Sequence, residues 1–424
     1  LSPTRVVAQK SLRPKQFGGG FLLLLVLLRG SSISPATTVF AGEPRPSGPI
    51  KVARPTIFWR VWPGVRSGSI VLDGKRVSAL YEPGQRAVVY NPPAPLAPGD
   101  HRVRCEVSVG SQGERTVREW SFVVSDDAID ALPATVTAPE AAALRQANLL
   151  RARHGLGSLE FDGALQAAAN AHTAYLVQNR AGGHAEERSR PGFSGATPRD
   201  RASAYGAVYD AIAENVAVQS VAPARSLDVL AARATQDLFD APYHRLAFLN
   251  PNLARLGAAF RSAQLDGGRA QETYQTLVFG GMNDPEADDA TVLSPADGQT
   301  EVPVSWDGQE IPNPLRVHPE AELPTGYPLV FARFSPRRSG DSTSALMVRS
   351  VSLRDPAGDV PVLVNTPAKD PELMGQAVLI IPRRPLRPGT IYRVQVVAYS
   401  NTGQEISRSW KFTTAAHPTR RSEP

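Results

Sequence analysis

The chain has 424 residues, 46 Lys and Arg against 40 Asp and Glu for a formal charge of +6, 42% hydrophobic residues and one cysteine. That length excludes a single small domain and predicts two to four, each able to bury a core of its own. A lone cysteine excludes an intramolecular disulfide framework.

Residues 1–41 differ from everything after them. Arg5, Lys10, Arg13 and Lys15 precede the apolar run FLLLLVLL (Phe21–Leu28), and VFAG (Val39–Gly42) offers small residues around Ala41. A basic start, a short apolar stretch and a small-residue site together form the pattern of a secretory signal, with cleavage expected after Ala41. Eight apolar residues are far fewer than the roughly twenty that span a bilayer, so export with no transmembrane span in the mature chain is expected. The leader holds five basic residues and no acid, so its removal takes the formal charge from +6 to +1. A nearly neutral mature chain has no electrostatic footprint for nucleic acid. Cys105 reads as a small buried residue in a strand. Export without disulfides suits a bacterial envelope or extracellular protein.

Over residues 42–126, short β-branched and aromatic runs alternate with Gly and Pro turns. TIFWRVW, SIVLDGKRV with Asp73-Gly74 as a hairpin turn, RAVVY and HRVRCEVSV predict strands of a β-sandwich. The same grammar returns over residues 288–416, in YPLVFARF, ALMVRSVSL, AVLIIP, IYRVQVVAYS and SRSWKFTT. PLAPGDHRVRCEVSVGSQGERTVREWSF and PLRPGTIYRVQVVAYSNTGQEISRSWKF share Pro-Leu-x-Pro-Gly and a final Trp-x-Phe, with Gly99 to Trp120 and Gly389 to Trp410 both 21 apart. The alternation between the two anchors slips by one residue. Two copies of one sandwich type are predicted, each with its Trp between the sheets; they resemble bacterial immunoglobulin-like modules.

Between them, residues 137–284 change language. Acidic linkers at Ser125–Glu140 and Met282–Ala290 set this block apart as a separately folding unit. Leu144, Leu149 and Leu150 predict a first helix that Gly155 ends. Phe161, Leu165, Ala168, Ala169, His172 and Leu176 predict a second, and Ser226–Phe239 a third. RLGAAF and TYQTLVFGG predict a closing strand pair. The fold class is therefore multidomain, with a central α+β block between two all-β sandwiches.

The block opens with Asn148, Arg151, Gly155, Leu156, Leu159, Phe161, Asp162, Ala169 and His172. It continues through His184, Arg201-Ala202, Ala213-Glu214-Asn215, Pro242-Tyr243-His244-Arg245 and Leu249-Asn250-Pro251. In this order and spacing it resembles the CAP superfamily, the cysteine-rich secretory, antigen 5 and pathogenesis-related proteins, in its disulfide-free bacterial branch. The resemblance implies an α-β-α sandwich with a cleft lined by His184, Glu214 and His244. It also implies that these three could hold a divalent metal such as zinc, a first set of ligands that suits that ion. Tyr243 stands where the family has Gly and is expected to intrude on the cleft, and no acid aligns with a fourth position.

Blander readings stand beside these. His184 could be a solvated loop residue, His244 a helix or turn cap, and Glu214 a group that satisfies backbone at a strand start. His172 reads as a packing histidine on the apolar face of its helix. The chain is read as an exported protein that binds an unknown ligand through the cleft, a lipid, peptide or cell-wall component, without catalysis. The alternative is a metal-dependent hydrolase of peptide or cell-wall bonds, although no nucleophile motif accompanies the trio. If the leader reading holds, the intact mass of the exported protein will place its N-terminus at about Gly42. A full-length product confined to the cytoplasm would contradict it.

Overall fold

The computed structural model describes residues 40–62, 64–109, 113–222, 226–265, 270–284, 287–336 and 346–417. The expected leader lies outside them, apart from Phe40 and Ala41. The first block runs β1 (Phe40–Ala41), β2 (Gly48–Val52), β3 (Ile57–Trp62), β4 (Val65–Leu72), β5 (Lys75–Val77), β6 (Leu80–Glu82), β7 (Ala87–Tyr90), β8 (Gly99–Val109) and β9 (Glu114–Ile129). A sheet of order β1-β3-β7-β6 and one of order β2-β9-β8-β4-β5 enclose a core that includes Trp59, Ile70, Val88, Cys105 and Phe122. Asp73 and Gly74, at φ +50° and +79°, make the predicted turn between β4 and β5. Cys105 is fully buried in β8, and that burial pushes its thiol up to about 12. It is inert packing.

The centre runs α1 (Ala138–Arg153), β10 (Glu160–Phe161), α2 (Gly163–Asn179), α3 (Pro198–Ala204), β11 (Ala211–Val221), α4 (Leu227–Asp240), α5 (Pro242–Leu249), β12 (Arg255–Leu265) and β13 (Ala270–Gly281). Its sheet has the order β10-β12-β13-β11, with only β10 parallel to its neighbour. Side chains alternate along β12. Leu256, Ala258 and Phe260 face α1, α4 and α5, while Ala259 joins Leu165 and Ala169 of α2 on the other side. The result is three layers. Asp162 caps α2 by accepting from Leu165 N at 2.9 Å, and Gly155 at φ +69° ends α1 as its sequence predicts. Gly257 lets α2 lie directly on the sheet, since a Cβ there would sit 2.1 Å from the Leu165 carbonyl carbon.

The third block runs β14 (Ala290–Ser294), β15 (Leu329–Phe334), β16 (Met347–Asp355), β17 (Gly358–Asp359), β18 (Val362–Asn365), β19 (Ala377–Pro382), β20 (Ile391–Tyr399) and β21 (Arg408–Thr413). Its sheets have the orders β14-β15-β19-β18 and β17-β16-β20-β21. The internal repeat maps onto β8–β9 and β20–β21, and the slip is visible in their registers. Trp120 pairs with Val103, four residues past Gly99, whereas Trp410 pairs with Val394, five past Gly389. Both indoles face their cores, in phase with Phe122 and Phe412 respectively. Trp410 is buried in its core, but Trp120 is only half-buried, and in the first block the buried indole is Trp59.

The linkers also depart from expectation. Ser125–Ile129 continues β9, with Ile129 opposite Val52 of β2. One hydrophobic core holds Phe248 and Phe279 of the central block together with Trp306, Val330 and Leu379 of the third. The acidic segment at 282–290 therefore joins two units that share a core. Calorimetry of the whole chain should find these two blocks unfolding in one transition. Phe248→Ala, which removes a fully buried ring packed edge-on against Phe239 and Phe279, should cost about 3–5 kcal/mol by denaturant titration.

Candidate functional site

Three elements of the central block carry the predicted residues. His184 sits in the loop after α2, Glu214 on the edge strand β11, and His244 in the first turn of α5. They come together. His184 Nδ1 lies 3.0 Å from Glu214 Oε1, and the rings of His184 and His244 are 6.3 Å apart between centroids. Asn215, next along β11, donates from Nδ2 to the His244 carbonyl at 3.0 Å and so ties the strand to the helix. His184 is about half exposed, His244 mostly covered, and Glu214 buried.

Arg201 of α3 fixes the floor. From full burial its Nη2 donates to both Glu214 oxygens at 2.8 Å and to the His184 carbonyl at 2.9 Å, while Nη1 reaches the Gly195 carbonyl at 3.0 Å. Beside it, His172 is the packing histidine its helical face predicts, and it is also part of the charge arrangement. Its Nδ1 faces Glu186 Oε1 at 2.8 Å and its Nε2 faces the Gly183 carbonyl at 3.0 Å. Both partners only accept, so only a doubly protonated ring satisfies both. The buried carboxylate of Glu186 takes further hydrogen bonds from Ser194 N at 2.6 Å and from the Ser194 hydroxyl. Two carboxylates, Glu186 and Glu214, are thereby set against the side chains of Arg201 and His172. Together they hold the backbone of Gly183 and His184 in place.

His244 is held from outside the central block. Its Nδ1 lies 2.9 Å from Oε1 of Glu310, a buried residue of the third block, and the same oxygen accepts from the backbone N–H of Tyr243 at 2.8 Å and of His244 at 3.1 Å. Carboxylates accept, so Nδ1 carries the proton in both cleft histidines. Among the described residues neither Nε2 has a hydrogen bond, and in a neutral ring that atom bears the lone pair. Tyr243 does not intrude on the cleft. Its hydroxyl turns to Asp370 of the third block, and Arg316 donates to that hydroxyl at 2.6 Å.

The sequence pattern includes Arg201 without a role and marks neither Glu186 nor Glu310. The spacing of two residues from His184 was the available signal for Glu186. For Glu310 there was none, since it lies 66 positions from its partner in a block of strand grammar.

A three-layer α-β-α domain with two facing imidazoles over a buried carboxylate defines the class. Residues 144–279 match the Cysteine-rich secretory protein family, CAP, and the central domain is a member of that superfamily. No curated protein matches the chain. Among solved structures, an extracellular protein containing a SCP domain from Bacillus anthracis str. Ames is 17% identical over 44% of this chain and 66% of its own, with a TM-score of 0.25. CopC from Methylosinus trichosporium OB3b is 26% identical over 20% of this chain and 93% of its own, with a TM-score of 0.18.

Burial on its own would raise the Glu214 pKa. The His184 hydrogen bond and the charges of Arg201 and His172 outweigh it and hold this carboxyl below its ordinary value. The folded chain therefore binds this proton less readily than the unfolded chain does. The stability it contributes is complete above the unfolded value of about 4.3 and is lost as pH falls through the lowered native value. Glu214→Gln should cost about 3–5 kcal/mol at neutral pH by leaving Arg201 unpaired in the interior. Its thermal midpoint should also fall less steeply than that of the wild type between about pH 5 and pH 2.

Proposed function

We propose that this chain is an exported CAP-domain protein that binds a ligand through the cleft of His184 and His244, at the cell envelope or in the extracellular space, without catalysing its conversion. The observation that carries the reading is the pair of imidazoles, each with its Nδ1 held by a carboxylate and its Nε2 without a hydrogen bond among the described residues. Such a pair presents two lone pairs to one guest. The two-sheet blocks on either side are read as immunoglobulin-like modules that present the cleft. No helix among the described residues is long and apolar enough to cross a membrane.

A divalent ion such as zinc fits the two imidazoles better than the full trio. His184 and His244 would hold it through Nε2, whereas Glu214 would stand behind His184, because Arg201 engages both of its oxygens. Bound there, the ion would supply a Lewis-acidic centre for an oxygen of the ligand. The same engagement of Glu214 favours binding over hydrolysis. A general base needs a carboxylate free to take a proton from water, and this one is held below its ordinary pKa.

Zinc titration by calorimetry tests the ion, with heat and a raised thermal midpoint expected for the wild type and neither for His244→Ala. Sedimentation of the purified chain with bacterial envelope fractions tests the site. The wild type should pellet and the His184→Ala/His244→Ala double variant should remain in solution. Equal pelleting of both would reject the cleft as the binding site.

A further inference from the structure

Glu310 is an unusual residue to find where it sits. Its side chain is fully buried, and three donors converge on Oε1: the N–H groups of Tyr243 and His244 and the His244 ring. Oε2 is buried with no hydrogen-bond partner. A buried carboxylate is costly unless its oxygens are hydrogen-bonded, and among the described residues the one side chain that donates to Glu310 is the His244 ring. The acid on the His244 ring comes from the third block.

We propose that Glu310 is the positioning residue for His244: its Oε1 fixes the ring with Nδ1 protonated and Nε2 open to a guest, so the cleft is completed by a side chain from the neighbouring module. The proposal deepens the cleft reading and rests on it for its functional meaning. Two further contacts support it. Tyr243 joins Asp370 and Arg316, and Arg245 donates to the Pro328 carbonyl at 2.7 Å, so the residues on both sides of His244 are anchored in the same module. His184 has the matching arrangement from within the CAP domain, with Glu214 on its Nδ1.

The test uses the full chain labelled with 15N-histidine, with ring nitrogen shifts recorded at about pH 8.5, well above the ordinary histidine value of about 6.5. His244→Ala assigns the signal by its loss. The wild type is expected to show His244 protonated at Nδ1 and unprotonated at Nε2, and the opposite pattern would overturn the proposal without recourse to any Glu310 variant. Glu310→Gln keeps an acceptor oxygen for all three donors and should retain the wild-type pattern. Glu310→Ala should move the ring to the Nε2-protonated form, while the His184 signals stay unchanged. A folded Glu310→Ala protein whose His244 remains protonated at Nδ1 would also overturn it. Failure of zinc and envelope binding with these ring patterns as expected would remove the cleft reading and leave the positioning role of Glu310 intact.

Discussion

Arg201 is the residue on which the cleft is built. Its guanidinium lies in the interior, bridging α3, the loop that carries His184, and β11, where Glu214 sits. An unpaired cation at that depth would be untenable, and an unpaired Glu214 equally so. Each makes the other possible, and the pair then fixes the two segments that bring His184 and Glu214 within hydrogen-bond reach. Glu186 and His172 extend the same balance by one carboxylate and one ring. With every charge matched by an opposite one, the floor behaves as a rigid polar base under a half-exposed histidine.

That arrangement makes Glu214 a support for His184. A carboxylate with both oxygens on a guanidinium has little free capacity for a cation or a water proton. Its effect passes through His184, whose tautomer it sets. Glu310 acts on His244 in the same way from the opposite side. The two histidines are thus equivalent in chemistry, although their supporting acids come from different parts of the chain.

The residues most legible in the sequence were those whose role is local. Asp162 and Gly155 announce the start of α2 and the end of α1, and the Asp73-Gly74 turn announces its hairpin, because caps and turns depend on a few neighbouring positions. The three cleft residues were legible only as an ordered pattern, since nothing in the neighbourhood of Glu214 marks it as buried. α5 was not legible as a helix: eight residues behind a proline are too short to show a period. Trp120 faces the core in phase with Phe122 and Val124 yet stays half-buried, and no feature of the repeat states which copy's indole is fully covered. Glu310 and the shared core were beyond reach for a different reason. Contacts between separate blocks leave no mark in either block's own periodicity.

The geometry of α5 shows how close that association is. Successive residues of a helix point about 100° apart, so Tyr243, His244 and Arg245 together sweep about 200° of its surface. All three find partners in the third block: Asp370 and Arg316 for the tyrosine, Glu310 for the histidine, and Pro328 with the ring of Tyr327 for the arginine, whose guanidinium lies 4.5 Å from that ring's centroid. The third block thus meets the first turn of α5 through the loop at 310, the turn at 370 and the residue just before β15, while Asn215 holds the His244 carbonyl from the CAP sheet. The orientation of His244 is therefore set jointly by two β-systems that share one core, the CAP sheet through Asn215 and the third block through Glu310.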